Sequence, residues 1–115
     1  MVEKYFPNKG DIIYINFDPQ KGSEQAGFRP ALVLSPAAYN KKTGLAICCS
    51  ITTKVKNYPF EVALTNQHKV KGVVLADQLK NLDWFSRGAK FIEKARPEVI
   101  NATLLKAMEL LIQTP

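Results

Sequence analysis

Three short stretches carry the side chains best suited to chemistry: GSEQAGFRP with Glu24 and Arg29, ITTK with Thr52 and Thr53, and ADQLK with Asp77 and Gln78. Arg29 is permanently charged, and its planar fork of donors matches the oxygens of a phosphate. The hydroxyls of Thr52 and Thr53 can donate to the same phosphate. Glu24 can serve as a base or accept from a base edge such as cytosine N4. Asp77 and Gln78 can read base edges or brace the neighbouring loop. Phe28 can stack on an unpaired base, and Lys54, Lys56, Lys80 and Arg87 can line a phosphate path with salt-dependent affinity.

Each of these residues also has an ordinary structural reading. Arg29 can pair with Glu24 or Asp18, Thr52 can be one more β-branched strand residue, and Asp77 can bond backbone at a strand end. Glu24 and the lysines can be solvated surface charges. Other chemistries lack their parts. The sole histidine, His68, lies in the polar stretch TNQHKVKG, so no Ser-His-Asp set is available. No glycosidase-like carboxylate pair and no phosphate-cradling G-x-x-x-x-G-K-[ST] is present. Adjacent Cys48 and Cys49 with one histidine make no recognisable metal site, and neither metal nor cofactor is expected.

The 115 residues are enough for one domain with one proper core. At 46% hydrophobic and 23% charged, the composition is that of an ordinary soluble globular protein. A formal charge of +6 and a pI near 9.4 favour a polyanionic partner. The two cysteines, neighbours on a strand, point to opposite faces and are expected to be reduced thiols of a cytoplasmic protein. No apolar run reaches the ~20 residues of a membrane span, and the N-terminus has no signal-peptide core.

The elements that must position the candidate residues follow from periodicity. GDIIYINF (10–17) alternates as a first strand, with Ile13, Ile15 and Phe17 on one face and Ile12, Tyr14 and Asn16 on the other. A second strand is expected from Pro30 through ALVLS. Between them lies a connection of about eleven residues, far longer than a turn needs, so it is expected to be functional. PAAYNKKTG reads as a short helical turn or loop. LAICCSITT (45–53), YPFEVAL (58–64) and GVVLA (72–76) read as strands three to five, with TNQHKVKG as a polar hairpin connection. From residue 77 a helical or turn segment is expected, then a last strand around Ala89 to Ile92. From Pro97 the period becomes helical, with Ile100, Leu104, Ala107, Met108 and Leu111 inward and Glu98, Asn101, Lys106, Glu109 and Gln113 outward. Trp84 is expected as a core or interface anchor. The fold class is mainly β with a C-terminal helix, a small curved barrel or sheet with the helix packed on it.

GDIIYINFDPQKGSEQAGFRPALVLSP, TTKVKNYPFEVAL and GVVLADQLKNLDW together closely resemble the MazF/PemK/Kid toxins of type II toxin–antitoxin modules, the MazF branch most closely. The resemblance runs in register from about Gly10 to Gly88. It implies an SH3-like curved β-barrel that forms a homodimer, cuts single-stranded mRNA sequence-specifically without a metal, and is neutralised by a small, partly disordered MazE-like antitoxin. It further implies Arg29 and Thr52 as the main catalytic pair and cleavage through the RNA 2′-hydroxyl, with ACA the first cleavage site to test. Relatives can carry histidine where this chain has Phe28, which removes one titratable group. Gly22 and Gly27 are expected to let the loop swing over RNA and bring Glu24 and Arg29 to the phosphate. Two other readings share a similar fold: a toxin that binds gyrase, and a non-catalytic SH3-like binding module. Neither needs Arg29 and Thr52 as a pair.

Overall fold

The computed structural model describes residues 4–18 and 27–112. Six strands, β1 (Asp11–Asn16), β2 (Phe28–Val33), β3 (Leu45–Thr52), β4 (Glu61–Ala63), β5 (Val73–Asp83) and β6 (Lys90–Lys94), form one antiparallel sheet in the order β4-β5-β3-β2-β1-β6. α1 (Ala37–Thr43) joins β2 to β3, and α2 (Pro97–Ile112) ends the described chain. The sheet is curled into a half-barrel with a C-terminal helix, as the sequence predicts.

The strands are apolar on both sides because the curled sheet has two cores. Ile12, Leu32, Cys49, Ile51 and Val74 face α2, where Val99 meets them. Ile13, Ile15, Ala31, Val33 and Cys48 face the other way, with Trp84 and the N-terminal Tyr5 and Phe6. Cys48 and Cys49 thus fall into different cores, as strand alternation requires. Both are free thiols, and burial pushes each up to about 12. Trp84 is a core anchor, its indole N–H donating to the Asn40 carbonyl at 2.9 Å.

Several boundaries differ from the expected ones. β2 begins at Phe28 rather than Pro30, so Arg29 stands in a strand instead of in the loop. β4 is only three residues long. β5 runs on through Asp83, where a helical or turn segment was expected, and the turn occupies 84–88 instead. The reason is a bulge. Between the pairs Cys49↔Leu79 and Ile51↔Val74, four β5 residues (75–78) face the single residue Ser50. The strand's alternation therefore breaks at Asp77 and Gln78 and resumes out of phase.

The inward stripe of α2 also differs. Val99, Thr103 and Ala107 are buried, and Ile100 and Leu104 pack partly against the core, but Met108 is 50% and Leu111 75% exposed. The sheet ends before the last turns of the helix, which leaves them without a partner among the described residues. Gln113 lies outside the described residues.

β4 and β6 are the two edges, yet the barrel is drawn closed by side chains in place of a ladder. Glu93 on β6 accepts the N–H groups of Lys69 (3.0 Å) and Val70 (2.8 Å) in the β4–β5 hairpin. His68, expected in a polar connection, is in fact buried. Its Nε2 accepts the Arg96 N–H at 3.1 Å, and its Nδ1 lies 2.9 Å from Thr65 Oγ1. Burial pushes the Glu93 carboxyl up. The two main-chain donors, with His68 and Lys69, outweigh this and hold it below the usual carboxylate range.

Candidate nucleic-acid interface

Arg29 is held by the β1–β2 ladder, directly opposite Ile15. The β2–β3 ladder pairs Val33, Leu32 and Ala31 with Cys48, Cys49 and Ser50. The pairs stop there, but strand alternation puts Arg29, two residues before Ala31, on the same face as Thr52, two residues after Ser50 and the last residue of β3. Residues directly opposite in an antiparallel pair share a face, their Cα atoms about 5 Å apart. Thr52 in turn pairs with Val73, and Val73 with Ala63. Two paired rows result on one face of the sheet, Ile15–Arg29 and Thr52–Val73–Ala63.

Thr52 is only 8% exposed, and its Oγ1 accepts the Lys54 N–H at 3.1 Å. That bond fixes the oxygen and leaves the hydroxyl proton as a donor. Its backbone is constrained by Gly72, which sequence reasoning overlooked. Gly72 has φ +115°, and a Cβ there would lie 2.1 Å from the Thr52 carbonyl oxygen. Only glycine lets the start of β5 approach the end of β3 this closely. The sequence signal was present, a Lys-Gly step immediately before an apolar run, but it reads equally as an ordinary turn.

The other candidates divide. Asp77 (exposed) and Gln78 (half-buried) sit in the bulge opposite Ser50, two residues before Thr52 along β3. Bulges commonly re-aim side chains beside sites. After burial, the Asp77 charge is the second cause of the raised Cys49 thiol. Thr53, Lys54 and Lys56 are exposed in the segment following β3. Lys80 shares the Thr52 face through its pairing with Cys48, but four residues along β3 separate it from Thr52, about 13 Å. The structure does not bring it to the pair.

Arg87 serves the fold. One guanidinium nitrogen donates to the carbonyls of Asn16 (3.1 Å) and Asp18 (2.6 Å). Phe17 N–H to the Gly27 carbonyl (2.8 Å) and Gly27 N–H to Asp18 Oδ1 (2.7 Å) tie the same place. These bonds close the neck of the β1–β2 loop. Phe28 falls on the face of β2 opposite Arg29 and stacks on Tyr14, centroids 5.5 Å apart. Glu24 and Gly22 lie outside the described residues, and Arg29 is carried by the sheet, so no loop movement is needed to position it. Among the described residues no group of three or more His, Cys, Asp or Glu side chains can hold a metal ion, and no helix is long and apolar enough to cross a membrane.

The arrangement is a curled antiparallel half-barrel that carries Arg29 and the anchored Thr52 hydroxyl on one face of neighbouring strands, with Lys54 and Lys56 exposed just beyond β3. The chain belongs to the family of PemK-like, MazF-like toxins of type II toxin–antitoxin systems, whose profile matches residues 8–111. Among its relatives, the endoribonuclease toxin MazF of Escherichia coli strain K12 is 52% identical over 107 residues, covering 93% of this chain and 94% of that protein. The endoribonuclease toxin ChpB of the same strain is 40% identical, covering 92% and 95%. The crystal structure of MazF from Deinococcus radiodurans superposes with a TM-score of 0.92 at 49% identity, covering 94% of this chain and 98% of that one. A MazE–MazF complex from the same organism gives 0.87 at 48% identity, covering 96% of this chain and 100% of that one.

Proposed function

We propose that the protein is a cytoplasmic endoribonuclease toxin that cuts single-stranded mRNA at a short motif, ACA being the first to test, and so arrests translation and growth. The observation that carries this reading is the strand alternation that puts Arg29 and Thr52 on one face of neighbouring strands. Attack by the RNA's own 2′-hydroxyl needs neither an external water nor a metal. It needs in-line geometry and stabilisation of the charge that builds on the phosphate oxygens. Arg29 supplies two parallel donors to those oxygens, and the Thr52 hydroxyl, already anchored through its oxygen, supplies a third. The bond to the 5′-oxygen then breaks and that oxygen takes a proton from solvent water, leaving a 2′,3′-cyclic phosphate upstream and a 5′-hydroxyl downstream. Glu24 is assigned the 2′-proton, since Phe28 cannot titrate. Asp77 and Gln78 in the bulge, with Thr53, Lys54 and Lys56, flank the path, and Phe28 would meet a base beside Tyr14.

The test is cleavage of a long single-stranded RNA in EDTA with both new ends mapped. Wild type is expected to cut at one short motif with the ends just described, and Arg29→Ala and Thr52→Ala each to lose at least about 100-fold in kcat. Intact RNA from folded, antitoxin-free protein would sink the reading and favour gyrase binding or simple docking.

A MazE-like antitoxin is the proposed inhibitor, since an acidic segment that folds on binding suits a surface of charge +6. The proposed assembly is a homodimer that covers the exposed Leu105, Met108 and Leu111 of α2, an apolar cluster of the kind that marks an interface. Leu111→Lys is expected to shift sedimentation from dimer to monomer, and an unchanged dimer would place the interface elsewhere.

A further inference from the structure

The turn of the β4–β5 hairpin is built around His68, a side chain that the proposed reaction does not use. Its ring is only 3% exposed, and two main-chain N–H groups point at opposite nitrogens. That of Thr65 faces Nδ1 and that of Arg96 faces Nε2, both at 3.1 Å. The Thr65 hydroxyl lies 2.9 Å from Nδ1 and can turn to accept a ring proton. A neutral imidazole with its proton on Nδ1 thus bonds Thr65 Oγ1 and keeps Nε2 bare for Arg96. An imidazolium has no bare nitrogen. Its Nε2–H would face the Arg96 N–H donor against donor, with the ring shielded from water that could substitute.

The charged groups around the ring come from three elements. Glu93 of β6 has its two carboxylate oxygens on the Lys69 and Val70 N–H groups. Glu98 of α2 takes the Arg96 guanidinium at 2.6 Å. Both carboxylates sit close enough to interact with a charged ring. Against them stand Arg96 itself and, in the hairpin, Lys69 and Lys71, whose ammonium bonds the His68 carbonyl at 3.0 Å. Three cations oppose two carboxylates that are already engaged, so the lost Arg96 bond decides.

The hairpin leads straight to the proposed site. Its base is the bond from the Leu64 N–H to the Gly72 carbonyl (3.0 Å), and Gly72 is the residue packed against the Thr52 carbonyl. We infer that His68 is a pH-sensitive latch. Neutral, it pins the hairpin to the start of α2; protonated, it releases the hairpin and loosens the approach of Gly72 to Thr52. The released form holds one more proton, so acid drives release. The inference goes beyond the ribonuclease reading, on which only its effect on cleavage depends.

The test is amide hydrogen exchange, expressed as protection factors, at pH 8 and pH 5, the span over which histidines change charge. Wild type is compared with His68→Gln, whose amide oxygen can accept the Arg96 N–H and takes no proton. Wild-type protection at Lys69, Val70 and Arg96 is expected to fall about 10-fold at pH 5, the scale of one lost hydrogen bond. Cys48, inside β3, should keep its protection, and His68→Gln should keep the hairpin's at both pH values. Glu93, ionised below the usual carboxylate range, stays charged across this span and cannot mimic the effect. On a single-site RNA oligonucleotide, the ratio of wild-type to His68→Gln cleavage should drop about 3-fold or more between pH 8 and pH 5. Ring nitrogen NMR shifts of wild type report the charge directly, whatever the fold of the variant. A ring that charges while Arg96 keeps its protection would overturn the latch, as would a ring still neutral at pH 5. So would His68→Gln losing protection in step with wild type. A released hairpin with an unchanged cleavage ratio would overturn the link to Thr52. Release without any RNA cleavage at either pH would leave the latch standing and overturn the ribonuclease.

Discussion

At Thr52 the proposed chemistry and the packing make opposite demands on a substitution. The residue is buried and β-branched, so its methyl group fills space while its hydroxyl oxygen holds the Lys54 N–H. Thr52→Ser keeps the hydroxyl and loses a methyl, and activity is expected to stay within about 10-fold of wild type. Thr52→Val keeps the shape and loses the donor, and kcat is expected to fall by 10² or more, as for removal of a transition-state donor. Equal activity of the two variants in a cleavage assay would mean that Thr52 acts by packing alone. Residue type made Arg29 readable as a phosphate-binding candidate, Thr52 was singled out only by the family resemblance, and the face they share follows from strand phase, which no local pattern states. The same holds for Arg87: its charge suggested RNA, and only the fold shows it spent on two carbonyls of the loop neck.

Among the elements, β1 was readable from its alternation, β3 from its run of β-formers and α2 from its helical period, although its last inward positions are exposed. β5 was half missed because four of its residues bulge against Ser50 and shift the phase of DQLKNLD. Ser50, with its buried hydroxyl unpartnered among the described residues, sits where the ladder breaks. Gly72 governs how the start of this strand meets the end of β3. Gly72→Ala would drive a methyl into the Thr52 carbonyl, a backbone atom that cannot swing aside. The variant is expected to lose about 2 kcal/mol or more of stability and to cut RNA more slowly even where folded. Gly44→Ala is the control. Gly44 also has positive φ (75°), but the space its Cβ would occupy is open, so a loss of about 1 kcal/mol with unchanged cleavage is expected. If thermal melts and cleavage rates ranked the two variants alike, close approach at Thr52 would not matter.

For the whole molecule, the telling contacts join the sheet's two edges. Glu93 holds its proton more weakly in the folded protein than in the unfolded chain, because its carboxylate takes two main-chain donors. Its contribution is therefore present in full above the unfolded glutamate value, about 4.3. It is lost as the pH falls through the lower folded value. Glu93→Gln is expected to lower Tm by a few degrees at pH 7, the gap to wild type narrowing toward pH 3. A constant gap in melts across that range would assign Glu93 a packing role only. The curled β fold was legible from strand count and the single terminal helix. This closure was not, because the hairpin that carries His68 reads as polar surface until the opposite edge is folded against it.

The neck of the β1–β2 loop has a consequence for how such a protein can change. Phe17, Asp18, Gly27 and Arg87 bond one another at the point where the chain leaves and re-enters the sheet, so these four residues set the spacing of β1 and β2 there. A longer connection between 18 and 27 is expected to cost little chain entropy, since doubling a loop adds only about 0.6 kcal/mol. Arg29 and Thr52 meanwhile stay fixed by the strands. Length between 18 and 27 can then vary, provided that Glu24, the proposed base, keeps its reach to the phosphate.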